Sequence, residues 1–193
     1  MKGKLIAIYG INNIGKTAQT LFLRDYLISK GHNVKTMTFP NYKLEPTGPK
    51  LYSLIKSKKQ NLTEDLMQTI FSKNLKDMQP ILQEYLDKGY IVIFDGYRLT
   101  SLVWGSSKGL PLNWMKEKVS FAIKEDLAIL LDGSRFKHGI EKNHIHEHDD
   151  KLQNKVRQKH LDLADEYNCV IINANQPKEQ VHEQIVKEVE KII

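Results

Sequence analysis

Eight residues near the start of the chain, 10–17, constrain its fold more than any other segment. Their sequence, Gly-Ile-Asn-Asn-Ile-Gly-Lys-Thr, matches the phosphate-binding pattern Gly-x-x-x-x-Gly-Lys-[Ser/Thr] at every position. An apolar run over residues 4–9 precedes this segment, and helical spacing of apolar residues over 17–29 follows it. A strand before and a helix after are the context in which the pattern binds phosphate, so we interpret residues 10–17 as a P-loop.

The P-loop predicts that the chain binds a nucleoside triphosphate together with magnesium. Glycines allow the backbone to curl so that its N–H groups face a phosphate, and the following helix adds the positive end of its dipole. We expect Lys16 to reach the β- and γ-phosphates and the Thr17 hydroxyl to ligate Mg²⁺. The predicted triphosphate-binding residues are Gly10, Ile11, Asn12, Asn13, Ile14, Gly15, Lys16 and Thr17.

Apolar runs and helical patterns alternate along the chain. The predicted strands are residues 4–9, 33–39, 90–94, 127–131 and 169–172, and the predicted helices are 17–29, 63–87, 150–167 and 177–192. Because parallel strands need crossover connections, this order predicts an α/β fold of the P-loop NTPase type, with about five parallel strands flanked by helices in one domain over 1–193. Gly31 is expected to cap the first helix, Pro177 to open the last, and Pro80 to kink or divide the helix over 63–87.

An acidic residue is expected to complete the magnesium site. Asp95 ends the apolar run 91–94, which places its carboxylate at the carboxyl edge of the predicted sheet, beside the P-loop. The alternative is that Asp95 caps the next helix, and one carboxylate can do both.

The segment 133–149 is polar, basic and rich in histidine, and it joins a predicted strand to a predicted helix. A mobile surface loop is the favoured interpretation. His144, His146 and His148 alternate along it, so a zinc or nickel site is the alternative, which competition with a chelator in an activity assay would test.

Composition excludes several classes of protein. The net charge of +6 comes from lysines spread along the whole chain, which does not favour nucleic-acid binding. The one cysteine, Cys169, allows no internal disulfide and is expected to be a buried, inert thiol in a reducing compartment. We find no signal peptide or membrane-spanning run, so a cytoplasmic location is expected.

A GTPase is not indicated, because Asn74-Leu75-Lys76-Asp77 has the wrong order for guanine recognition. A small kinase with a second pocket for the acceptor fits best.

The chain resembles the thymidylate kinase family over almost its full length. The matching segments are Phe39-Pro40 after the second strand, Glu45-Pro46-Thr47-Gly48, Phe71-Ser72-Lys73-Asn74, Asp95-Gly96-Tyr97 with Thr100 and Trp104 beyond it, and Ile172-Asn173-Ala174. The resemblance implies transfer of the γ-phosphoryl group of ATP to a deoxynucleoside monophosphate, dTMP above all, with Mg²⁺ as cofactor and a homodimer as the assembly.

The resemblance also implies roles for individual residues. Phe71 would stack on the acceptor base, although an ordinary core phenylalanine is the alternative. The lid, residues 133–149, would close over ATP, and Asn173 would lie beside adenine. In the lid, Arg135 and Lys137 are the candidates to clamp the transferred phosphate, with Lys142 behind them. The implied acceptor-binding residues are Phe39, Pro40, Tyr42, Phe71, Asn74, Leu75, Tyr97, Thr100 and Trp104, and the implied catalytic residues are Lys16, Asp95, Arg98 and Arg135.

Four charged contacts of the family are missing at their matching positions. Asn12 stands for an acidic P-loop residue, and Gly96 stands for the arginine of Asp-Arg-Tyr. An arginine after Phe-Pro is replaced within Asn41-Tyr42-Lys43, and Leu75 stands for the arginine that recognises thymine. Nearby candidates to replace the cations are Arg98, Lys43 and Lys76. The losses leave two alternatives open, which are a kinase for another pyrimidine monophosphate such as dUMP and a nucleotide-binding regulatory protein without transfer activity.

Overall fold

The fold is built on five parallel strands. A computed structural model describes residues 2–56, 62–136 and 149–193. The strands are β1 Lys4–Tyr9, β2 Val34–Thr38, β3 Ile91–Asp95, β4 Leu127–Asp132 and β5 Cys169–Asn173. Each begins and ends within one residue of its predicted bounds, and all but β2, which alternates polar and apolar residues, consist mainly of apolar residues.

The strands form one sheet in the order β2-β3-β1-β4-β5, and every pairing is parallel. Asp95 at the end of β3 is in register with Ile8 of β1 and with Thr38 of β2, while Asp132 of β4 is in register with Asn173 of β5. The carboxyl ends of all five strands therefore share one edge of the sheet, where ligands bind in open α/β folds. The predicted α/β class with about five parallel strands is confirmed.

Seven helices lie in the described part of the chain. They are α1 Lys16–Ser29, α2 Thr47–Lys56, α3 Glu64–Asp87, α4 Arg98–Ser107, α5 Leu112–Val119, α6 Asp150–Ala164 and α7 Lys178–Val189. Gly31 follows α1 with φ +86° and Pro177 is the N-cap of α7, as predicted. The prediction missed α2, α4 and α5, which are short, and α2 and α4 also carry glycine and serine within them.

Of the kink or division expected at Pro80, the division is wrong. The helix α3 runs undivided from Glu64 to Asp87, and the Pro80 ring lies on its exposed face. Met78 and Leu82 on either side are fully buried in the core. Packing of these side chains outweighs the one helical hydrogen bond that proline removes.

The core is one hydrophobic cluster that extends from Leu5 in β1 to Val189 in α7. The central strands are the most deeply buried, with Leu5, Ile8 and Phe94 fully excluded from solvent. Cys169 lies at the margin of this cluster and is half-buried, so the expectation of a buried thiol is corrected. Burial nevertheless raises the pKa of its thiol to about 12, which keeps it protonated and unreactive.

Candidate active site

The P-loop follows β1 directly and leads into α1. Gly10 has φ +140°, and a Cβ atom there would lie 2.6 Å from the carbonyl oxygen of Leu131, so only glycine fits. Lys16 is the first residue of α1, and its Nζ donates a hydrogen bond to the Ile11 carbonyl at 2.7 Å. The lysine thus folds back over the loop, where a phosphate would compete for its ammonium group.

Thr17 and Asp95 meet at the same edge of the sheet. The Thr17 hydroxyl donates a hydrogen bond to Asp95 Oδ2 at 2.5 Å, which joins α1 to the end of β3. A hydroxyl and a carboxylate are hard oxygen ligands of the type that Mg²⁺ prefers. These residues fit a magnesium site, in which a bound ion would neutralise charge on the phosphates.

A cavity of about 290 Å³ extends from the P-loop along the carboxyl edge of the sheet. Twelve of the predicted site residues border it: Gly10, Asn12, Asn13, Lys16, Thr17, Phe39, Pro40, Tyr42, Phe71, Asp95, Thr100 and Trp104. The fold therefore brings donor-side and acceptor-side residues to one space, although up to 94 positions separate them in sequence.

Aromatic residues line a second part of the cavity, which we call its aromatic end: Phe39, Tyr42, Phe71 and Trp104. Phe71 on α3 is half-buried and packs edge-on against Phe39, with 6.3 Å between ring centroids. Tyr42 makes a similar contact with Tyr52 of α2 at 5.8 Å. Because Phe71 and Trp104 both border the cavity, a planar ligand group could stack at this end.

Three predicted acceptor-binding residues lie outside the cavity wall. Leu75 and Tyr97 are fully buried in the core, where burial raises the pKa of the Tyr97 phenol and its OH donates to Gln79 Oε1 at 2.9 Å. Asn74 is also fully buried, and its amide bonds both the N–H and the carbonyl of Asn41. The position of these side chains does not fit direct contact with an acceptor. Asn74 instead fixes the loop that carries Pro40 and Tyr42.

Arg98, predicted as a charge clamp, does not border the cavity. Its Nε donates to Glu125 Oε2 at 2.6 Å, and its side chain is 16% exposed against 3% for Glu125. The guanidinium group also lies over the ring of Tyr167, 4.8 Å from its centroid, while the Tyr9 hydroxyl donates to the other oxygen of Glu125. The predicted clamp role of Arg98 is therefore corrected. A buried carboxylate needs a cation, and Arg98 supplies it.

We expect replacement of Arg98 by methionine to destabilise the fold rather than to abolish catalysis. Breaking one side of a buried ion pair lowers the free energy of unfolding by about 3 kcal/mol. Chemical denaturation would measure it, with Arg24→Met as the matched control, because Arg24 pairs with Asp25 on the surface. A stable Arg98→Met protein with strongly reduced turnover would contradict this assignment.

The other two replacement candidates also lie away from the cavity. Lys43 is exposed, and Lys76 lies over the ring of Phe121 at 6.0 Å from its centroid, on the outer side of α3. Among the described residues that border the cavity, the cations are Lys16 and Lys108. Lys108, at the end of α4, was not predicted from the sequence.

The backbone and side chains of the P-loop offer further groups to a phosphate. The side-chain Nδ2 of Asn13 is buried and has no hydrogen-bond partner within the described parts of the chain. The N–H of Asn12 donates to Oε1 of Gln153, a buried residue of α6, at 3.2 Å. Gln153 therefore positions the loop. The sequence did not indicate this role, because Gln153 lies in a helix 141 residues away.

The start of the lid lies against the P-loop. The Phe136 N–H donates to the Asn13 carbonyl at 2.7 Å, and the Ser134 N–H donates to Asn175 Oδ1 at 2.6 Å. Arg135 lies between these two contacts and pairs with Asp150 at 2.5 Å. Asn173 is exposed at the end of β5, and its Oδ1 accepts from the Asn175 N–H. Neither Arg135 nor Asn173 borders the cavity.

The predicted lid histidines and Lys137 and Lys142 lie outside the described residues. In the parts of the chain that the structure describes, no group of three or more His, Cys, Asp or Glu side chains could hold a metal ion. None of the helices in the same parts is both long and apolar enough to span a bilayer.

Residues that the sequence did not indicate complete the cavity wall. Gln68 of α3, Ser101 of α4 and Lys108 directly after α4 border it, with Gln68 and Ser101 buried. Gln68 precedes Phe71 by one helical turn, so helical spacing was a signal that could have located it. Lys108 had no comparable signal.

Comparison with known proteins identifies what this arrangement resembles. The thymidylate kinase family model matches residues 8–185. A protein of Pyrococcus horikoshii described as a probable thymidylate kinase is 32% identical over 204 aligned residues, covering 96% of this chain and 95% of its own. The thymidylate kinase of Schizosaccharomyces pombe is 27% identical, with 96% of this chain and 90% of its own covered.

A solved structure agrees with the fold. The structure of a thymidylate kinase from Candida albicans superimposes with a TM-score of 0.84 at 24% identity, covering 98% of this chain and 92% of its own. The five-stranded parallel sheet with flanking helices is therefore that of a P-loop NTPase.

Proposed function

Because the chain belongs to the thymidylate kinase family, a group of nucleoside monophosphate kinases, we propose that it phosphorylates dTMP to dTDP with ATP and Mg²⁺. In this reaction an oxygen of the acceptor phosphate attacks the γ-phosphorus of ATP, and ADP leaves in line with it.

One observation carries the proposal. Lys16, Thr17 and Asp95 border the same cavity as Phe71 and Trp104. A phosphate-binding end and an aromatic end in one space match a nucleoside monophosphate whose base stacks at Phe71 and whose phosphate faces the P-loop. The volume of about 290 Å³ suits a ligand of that size.

The residues of the chain would act mainly by positioning and by neutralising charge. Lys16 would leave the Ile11 carbonyl for the β- and γ-phosphates, and the P-loop N–H groups would surround the same oxygens. Thr17 and Asp95 would hold Mg²⁺, which supplies charge neutralisation at the transferred group when bound. The unpartnered Asn13 Nδ2 is a neutral donor available to a phosphate oxygen.

ATP would lie across the P-loop toward β5. Its adenine would face the segment that includes Asn173, and Arg135 would approach its phosphates from the lid. The homodimeric state, the cytoplasmic location and the single domain over 1–193 stay predictions.

A turnover assay tests the proposal. The protein is incubated with ATP, Mg²⁺ and, one at a time, dTMP, dUMP, dCMP, dAMP and dGMP, and ADP release is followed. We expect the highest kcat/KM with dTMP. Preference for dUMP would favour a kinase for another pyrimidine monophosphate, whereas ATP binding without turnover on any acceptor would contradict transfer and favour a regulatory protein.

A further inference from the structure

A chain of polar side chains lies at the aromatic end of the cavity and has no part in the chemistry described above. It runs from Ser101 through Gln68 and Glu64 to Lys108, and Ser101, Gln68 and Lys108 border the cavity. Gln68 is 2% exposed and Ser101 is 3% exposed. Buried polar groups at the wall of a ligand cavity commonly fix the orientation of the ligand.

The amide of Gln68 is held in one orientation. Its Nε2 donates to Glu64 Oε1 at 2.8 Å, one turn earlier on α3, and its Oε1 accepts from the Ser101 hydroxyl at 3.3 Å. A carboxylate can only accept hydrogen bonds, so the nitrogen of the amide must face Glu64. The amide therefore cannot exchange its oxygen and nitrogen without losing the bond to Glu64.

Lys108 holds Glu64 in turn. Its Nζ donates to the second carboxylate oxygen of Glu64 at 3.1 Å, and the two side chains are only 18% and 27% exposed. The ion pair links the end of α4 to the start of α3, across 44 positions of sequence. Glu64 is thus a positioning residue, fixed from both sides.

The backbone of α4 leaves room for Gln68. Gly105 lies one turn beyond Ser101, and a Cβ atom there would come within 3.2 Å of Gln68 Cγ and 2.4 Å of Met115 Sδ. A side chain at position 105 would push on the stem of Gln68 and move its amide, because the core around Met115 is close-packed.

The amide has capacity beyond these two contacts. It offers a second N–H on Nε2 and a second lone pair on Oε1. It is the one group of the polar chain that presents both a donor and an acceptor to the cavity, since Lys108 has no acceptor and the Ser101 proton is directed at Gln68. A thymine or uracil edge presents an N3–H donor beside the O4 acceptor, whereas a cytosine edge presents the reverse, an N3 acceptor beside an amino donor.

Resting on the proposed function, we propose that Gln68, oriented by the Glu64–Lys108 ion pair, recognises the N3–H and O4 edge of a thymine or uracil base stacked on Phe71. Leu75 lies in the core and offers no hydrogen bond, and no arginine among the residues that the structure describes borders the cavity, so this amide supplies the base recognition. A base whose ring is stacked and whose phosphate is bound can approach a fixed amide in only one orientation. In that orientation the donor and the acceptor of cytosine face the wrong groups of the amide, so cytosine is excluded.

Steady-state kinetics of Gln68→Met with dTMP, dUMP and dCMP test the proposal. We expect the kcat/KM for dTMP and for dUMP to fall about 10- to 100-fold and that for dCMP to change less than about 3-fold, because the bonds to the amide are lost only by the first two. The ratio of dTMP to dCMP should then collapse. The matched control is Gln83→Met, which removes a similar glutamine–carboxylate pair with Asp87 on the exposed face of α3.

A second variant addresses the orientation. Glu64→Gln replaces an acceptor by a group that can also donate, so the Gln68 amide is free to turn over, and the ratio of dTMP to dCMP should fall even where the protein is fully folded. A merely structural role of Glu64 would lower the kcat/KM of every acceptor by the same factor, which would overturn its part in recognition. Where Gln68→Met reduces the yield of folded protein, Glu64→Gln provides the test.

Failure of this proposal is distinguishable from failure of the proposed function. Suppose that the wild-type protein turns over dTMP and that both variants keep its ratio of kcat/KM for dTMP to kcat/KM for dCMP. That result would overturn only the role of Gln68. Absence of turnover on every nucleoside monophosphate by the wild-type protein would overturn both. Equilibrium binding of dTMP, measured by calorimetry with and without Gln68→Met, should weaken about 10-fold or more if the amide contacts the base.

Discussion

Replacing Lys16 by alanine is expected to lower kcat for phosphoryl transfer by at least about 10³-fold. Lys16 is a cation on the P-loop wall of the cavity, and its Nζ already lies 2.7 Å from a P-loop carbonyl that a phosphate would displace. Phosphoryl transfer depends on neutralising charge at the transferred group, so no neutral side chain can substitute. A quenched-flow or coupled ADP-release assay measures the loss.

The fold should survive this replacement. Lys16 is half-buried at the start of α1, and the substitution removes one hydrogen bond, which changes the free energy of unfolding by about 1 kcal/mol. The matched control is Lys88→Ala, which removes an exposed lysine that pairs with Glu84 near the end of α3. Unchanged turnover in Lys16→Ala would refute the role of this lysine.

The fold was predictable where local sequence and tertiary packing agree. Strands β1 and β3 are uninterrupted apolar runs that are buried on both faces, so their pattern alone located them. The helix α4 was missed because its sequence includes Gly105 and several serines, which do not favour an isolated helix. It forms because Leu102 and Val103 are fully buried in the core, which is a tertiary contribution that no local pattern contains.

The residues of the candidate site were likewise predictable only where local sequence was enough. The P-loop and Asp95 were found because their spacing reflects one local requirement, a backbone that cradles phosphate beside a strand end. Arg98 was proposed because it is near Gly96 in sequence, but Glu125 is its nearest charge in space. Gln68 and Lys108 come together only when α3 and α4 pack, so their link through Glu64 had no sequence signal.

Magnesium dependence is expected to change strongly when Asp95 is replaced by asparagine. The substitution keeps the size of the side chain and an oxygen that can accept from the Thr17 hydroxyl, but it removes the negative charge. We expect kcat to fall about 100-fold and the Mg²⁺ concentration for half-maximal rate to rise about 10- to 100-fold, as for other residues that support a metal.

The control for Asp95→Asn lies on the neighbouring part of the same sheet edge. Asp132 ends β4 as Asp95 ends β3, but its carboxylate is held by two bonds to Arg157, at 2.6 and 2.7 Å, and it does not border the cavity. The guanidinium group lowers the pKa of Asp132, so Asp132→Asn should reduce stability at neutral pH while the Mg²⁺ titration stays unchanged. Equal shifts of the Mg²⁺ titration in both variants would mean that the charge of the whole edge, rather than Asp95, governs the metal. A shift confined to Asp95→Asn would assign the ligand to the Asp95 carboxylate, which accepts the hydrogen bond of the Thr17 hydroxyl.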